Sequence, residues 1–135
     1  MPTALLRVPP PSRILGVRSQ LHGPVTLNES ATACILAVTT VPSMDEGRRI
    51  VRTLVERRII ACGNVLPGAV SIYRWKGAIE ESQEAVVLLK TRADRLRDLQ
   101  DALPGLHPYD VPELIVVPIT GGHGPYLDWL SAETG

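Results

Sequence analysis

An imidazole, a phenol and two carboxylates fall within seven residues in the stretch His107-Pro108-Tyr109-Asp110-Val111-Pro112-Glu113. Residue types of this kind can move protons, hydrogen-bond a polar ligand or ligate a metal ion. The two prolines push the residues before them out of the α region, so the segment is extended or turned. It runs into the apolar Leu114-Ile115-Val116-Val117, which places polar groups on stiff backbone beside a strand. That arrangement reads as a pocket rim.

His107 has two readings, a metal ligand or a hydrogen-bonded structural histidine. Its sequence-near donors are Asp110 and Glu113, and the chain holds neither a His-x-x-x-His pair nor a Cys/His cluster. Glu113 serves equally as an acid or base, or as the polar residue closing a turn before a strand. In Tyr73-Arg74-Trp75-Lys76-Gly77, aromatic faces stand beside two cations, as in a binding strip or a hairpin tip packed on a neighbouring subunit. Lys90 ends an apolar run and either reaches an anion in a cleft or stays in solvent. Gly121-Gly122-His123-Gly124 precedes a helix but lacks the Walker and dinucleotide patterns. No serine lies in a nucleophile signature, and no nucleophile-base-orienter set is visible, so nothing in the sequence compels an enzyme.

The elements that must position these groups follow from the pattern of apolar residues. Ala33 to Val41 is nearly continuous apolar and β-branched sequence, a strand buried on both faces. Ser43 then caps a helix, with Glu46 closing the box, and Ile50, Val51, Leu54, Val55 and Ile59 follow at helical spacing. Val65 to Tyr73 reads as a second strand with a bulge at Pro67-Gly68, Lys76-Gly77 as a turn, and Ala85 to Lys90 as a third strand antiparallel to the second. Thr91 with Asp94 repeats the capping pattern before Leu96, Leu99 and Leu103, and Pro104-Gly105 is expected to stop that second helix. Leu114 to Ile119 gives a fourth strand, and Gly124-Pro125 opens a last helix. The fold class is therefore α+β, a ferredoxin-like β-α-β-β-α-β order plus a C-terminal helix, with both main helices on one face of an antiparallel sheet. The bare face needs cover, which another copy of the chain would supply.

The chain of 135 residues suits one core, and without any Phe that core rests on Val, Ile, Leu and Ala. Fourteen basic residues balance fourteen acidic ones, which removes the electrostatic case for nucleic acid. The charge is uneven: residues 1–31 hold three Arg, one acid and five of the twelve prolines. They read as a disordered N-terminal extension, leaving 32–135 as the folded domain. Their composition is close to that of a transit peptide, but Pro9-Pro10-Pro11 breaks any amphipathic helix. No stretch is long and apolar enough to span a bilayer, so no membrane partner is expected. Cys34 and Cys62 sit in apolar sequence and are expected to be two buried free thiols.

Five stretches carry a resemblance to a known family: Thr39-Thr40-Val41-Pro42-Ser43; Leu54 through Gly68, including Ala61-Cys62-Gly63-Asn64-Val65-Leu66-Pro67-Gly68; Ser71 through Gly77; Leu89-Lys90-Thr91; and His107 through Glu113. With the closing Tyr126-Leu127-Asp128-Trp129-Leu130 they are similar, in order and spacing, to the CutA divalent-ion tolerance proteins. The resemblance covers the chain from Ala33 onward. It implies a ferredoxin-like protomer in a PII-like homotrimer, non-enzymatic, cytoplasmic, requiring no cofactor, and acting in the response to copper(II) or another divalent cation. It also implies a cleft between subunits lined by Trp75, Lys90, Tyr109 and Glu113, with His107 as the metal donor. Members proposed to bind copper have a cysteine and an adjacent histidine where this chain has Thr39 and Leu106, so one of three donors remains and weak copper binding is implied. The alternative is a PII-like sensor of a small anionic metabolite held by Lys90, Arg74 and Lys76.

Overall fold

The computed structural model describes residues 33–135; the expected N-terminal extension lies outside the described residues. Strand β1 (Cys34–Val41) leads into helix α1 (Met44–Glu56), then the long strands β2 (Cys62–Trp75) and β3 (Ala78–Arg92), helix α2 (Leu96–Leu106), strand β4 (Ile115–Pro118) and helix α3 (Gly124–Glu133). The sheet order is β2-β3-β1-β4, antiparallel throughout. This is the α+β, ferredoxin-like arrangement that the β-α-β-β-α-β order predicts.

The main core lies between the sheet and α1 with α2. Ala37, Val41, Val87 and Leu89 face Ile50 and Leu54 of α1 and Leu99 and Leu103 of α2, all of them buried. The four-residue spacing puts each helical pair on one stripe, and every such aliphatic side chain contributes about 1.5–3 kcal/mol by leaving water. Ser43 caps α1 as expected, accepting from the Glu46 N–H at 3.2 Å. The Glu46 carboxylate takes the Arg49 guanidinium at 3.0 Å instead of closing the box.

Several boundaries differ from the sequence reading. The hairpin is much longer, because Ile79-Glu80-Glu81-Ser82-Gln83-Glu84 pairs with Ala69 through Arg74 without an apolar alternation to announce it. Lys76 and Gly77 both have positive φ, 50° and 82°, the backbone of a tight two-residue turn matched to strand twist. The register slips between Leu66 and Ala69, where Gly68 has φ 86°, so the bulge at Pro67-Gly68 is present.

Thr91 is not a helix cap. It belongs to β3, and its buried hydroxyl donates to the Ile59 carbonyl at 2.6 Å. Nor does Pro104-Gly105 stop α2, which runs to Leu106 with Pro104 inside its last turn. Proline there forfeits one backbone bond, and the end is held by the His107 N–H on the Leu103 carbonyl and by Arg49 on the Leu106 carbonyl.

Among the described residues the opposite sheet face is covered only at one end. There α3 places Leu127 and Leu130 against Cys34 and Ala61. Elsewhere the cross-strand partners Val38–Leu88 and Thr40–Val86 continue outward to Ile115 and Leu66. Leu66, Ile115 and Val117 are 45%, 54% and 43% exposed, an apolar strip with no helix over it among the described residues. The far half of the hairpin exposes Val70, Ile72 and Ile79 still further.

Candidate functional site

The segment after α2 turns back to the end of β1, and this buries His107. Its Nε2 lies 2.8 Å from the Thr40 carbonyl and 3.3 Å from the Thr39 hydroxyl. Its Nδ1 accepts the Tyr109 N–H at 3.1 Å. An acceptor at Nδ1 requires the proton on Nε2, which donates to Thr40, so the ring is a neutral imidazole with both nitrogens engaged. Burial holds its pKa below the ordinary 6.5, opposed by the Thr40 hydrogen bond and the negative charges of Glu46 and Glu84.

Tyr109 stacks beside it, with ring centroids 4.8 Å apart and planes tilted by 48°. Its hydroxyl donates to the buried Glu84 carboxylate of β3 at 2.5 Å. Glu84 in turn lines a cleft of about 170 Å³ between the Pro67-Gly68 bulge and the Pro42-Ser43 start of α1. One corner of the molecule thus joins β1, β3 and the loop after α2 through His107, Tyr109 and Glu84.

The remaining predicted residues stand elsewhere in the chain. Lys90 lies opposite Cys62 and Leu36, and its Nζ donates to the Tyr126 hydroxyl at 3.4 Å. The Cys62 thiol is 3.5 Å from the same hydroxyl. Cys62 and burial push the Tyr126 phenol above its ordinary 10, against the pull of Lys90. Cys62 is therefore half-buried and hydrogen-bonded, whereas Cys34 is fully buried; the expectation of two buried thiols holds for Cys34 alone. Burial is incomplete at Cys62 because it sits on the edge strand β2, whereas Cys34 lies on inner β1 against Leu127 and Leu130.

Trp75 is at the hairpin tip with Lys76 Nζ 5.6 Å from its ring centroid. Lys90 is twelve residues up β3 from Ala78, the partner of Trp75, roughly 40 Å at strand rise. A single chain cannot bring Trp75, Lys90 and Tyr109 into one cleft. Glu113 lies half-buried on the loop before β4. Among the described residues no three His, Cys, Asp or Glu side chains converge as a metal site would need. The donor set does not fit a built copper centre.

Sequence reasoning missed Glu84 and Thr40. A glutamate in a polar hairpin carries no local signal, and Thr40 acts through its backbone carbonyl. Thr39 was legible only as the position where other proteins carry a cysteine.

Comparison with known proteins decides the family. Residues 35–133 match the model of the CutA1 divalent ion tolerance protein. The chain belongs to the CutA divalent-ion tolerance family. The divalent-cation tolerance protein CutA of Thermus thermophilus is 45% identical over 100 residues, 74% of this chain and 97% of the relative. A chloroplastic CutA of Arabidopsis thaliana is 38% identical over 74% of this chain and 55% of its own length. The crystal structure of CutA1 from Oryza sativa superposes with a TM-score of 0.75 at 34% identity, covering 79% of this chain and 98% of that one. The Thermus relative is thus named for cation tolerance, and among the described residues no helix is long and apolar enough to cross a membrane.

Proposed function

We propose that this CutA-family chain works as a non-enzymatic, PII-like homotrimer in the response to divalent cations, with recognition at the seams between copies. The observation that carries the reading is the exposed apolar strip Leu66, Ile115 and Val117 on the sheet face opposite α1 and α2. Exposed apolar side chains so aligned, flanked by the open edges of β2 and β4, favour burial against a second copy. Assembly would also be the means by which Trp75 and Lys90 of different chains approach the Tyr109 corner.

In this reading copper(II) binds weakly, at His107. One imidazole is a poor copper site, and an ion at Nδ1 must first displace the Tyr109 amide. Calorimetric titration with copper(II) tests this: weak saturable binding by the natural chain, lost in His107→Ala, is expected. Equal affinity in both proteins removes His107 from the account.

The anionic-metabolite alternative rests on Lys90, Arg74 and Lys76. Lys90 is already engaged by Tyr126, and the other two lie at the far hairpin tip, so this reading too depends on assembly.

A further inference from the structure

The helix side of the molecule holds a second groove, away from the His107 corner and from the apolar strip. It runs between α1 and the edge strand β2 as an open groove of about 390 Å³. Its floor is apolar: Val51 and Val55 from one row of α1 and Val65 from β2, with Gly63 beneath Val51. A Cβ at Gly63 would lie 2.8 Å from the Val51 side chain, so the missing side chain is what allows helix and strand to approach here.

One wall of the groove is cationic. Arg48 and Arg52 stand one turn apart on α1 and both line it. Arg48 makes an exposed pair with Asp45, of the kind that gives way readily to another anion. The Arg52 side chain enters no ion pair or hydrogen bond among the described residues, and Glu56 on the next turn does not engage it. Val55, beside Arg52, is 39% exposed. A strip of bare valine next to an uncompensated guanidinium presents both halves of an amphiphile's complement.

We propose that this groove binds a small monocarboxylate with a short aliphatic tail, its carboxylate on Arg52 and Arg48 and its tail along Val55, Val51 and Val65. Guanidinium suits a planar carboxylate because it offers paired N–H donors. Glu56 at the rim disfavours a second negative charge, which selects a monoanion over a di- or trianion.

The full chain titrated with octanoate, acetate, octylamine and inorganic phosphate, read by amide and methyl chemical shifts, tests the proposal. Octanoate should give saturable shifts centred on Val51, Val55 and Val65, at least tenfold tighter than acetate, while octylamine gives none there. Arg52→Gln should weaken octanoate at least fivefold, and Val55→Asn should remove the advantage of octanoate over acetate. Phosphate or acetate binding as tightly as octanoate, or an Arg52→Gln protein with unchanged affinity, overturns the proposal. Both substitutions are at exposed positions, and a dispersed spectrum of each variant verifies its fold.

Discussion

The hydroxyl of Tyr109 donates to the carboxylate of Glu84 at 2.5 Å across 25 residues of sequence, with both side chains buried. This bond ties the loop that follows α2 to the middle of the long hairpin. It is charge-assisted, and its loss leaves a buried carboxylate with one donor fewer. Tyr109→Phe is therefore expected to destabilise by about 1–3 kcal/mol. Urea unfolding of the variant, alongside Glu84→Gln and the double substitution, checks this; additive effects would show that the two groups do not interact.

How much of this corner was legible in the sequence differs from residue to residue. The strands with continuous apolar runs, β1 and the inner half of β3, and the helix capped by Ser43 follow from pattern alone. His107 and Tyr109 stood out because prolines fixed the backbone around them. Glu84 did not, since the stretch of β3 that carries it, Glu80 to Glu84, is polar on both faces and its register is set by the turn at Lys76-Gly77 and the bulge. Thr91 misled: a threonine followed by an acidic residue fits a cap, but a tertiary bond to the Ile59 carbonyl claims its hydroxyl. Trp75 and Lys90 were grouped by family resemblance, and the strand length between them shows that such a grouping needs more than one chain.

Stability should depend on pH through His107. Its pKa in the folded protein lies below the 6.5 of the unfolded chain, so the unfolded state binds more protons as pH falls through that region. The neutral ring's contribution is fully present above about 6.5 and is lost as pH drops towards the folded value. Denaturant midpoints measured between pH 8 and pH 5 should fall on acidification, and more steeply for the natural chain than for His107→Gln. Parallel slopes would exclude His107 as the cause.

Removal of the α1 cap gives a further expectation. Ser43→Ala leaves the Glu46 N–H without its side-chain acceptor and should cost about 0.5–2 kcal/mol, read as a lower thermal midpoint. Ser43→Asp should restore most of the loss, because a carboxylate both caps and meets the positive end of the helix.

Buried Thr91 offers a separate test of the inner strand. Thr91→Val keeps the shape but leaves the Ile59 carbonyl without this donor, a penalty of about 1–3 kcal/mol. Chemical denaturation monitored by tryptophan fluorescence reads it directly, and a variant as stable as the natural chain would show that water replaces the hydroxyl.

Light scattering of the purified chain, coupled to size exclusion, bears most directly on whether copies cover one another's bare sheet faces. The expected mass is three times the 14.7 kDa of one chain, falling to a single chain when Ile115 and Val117 are both replaced by Glu. A natural chain that is folded and monomeric at working concentrations would contradict the account.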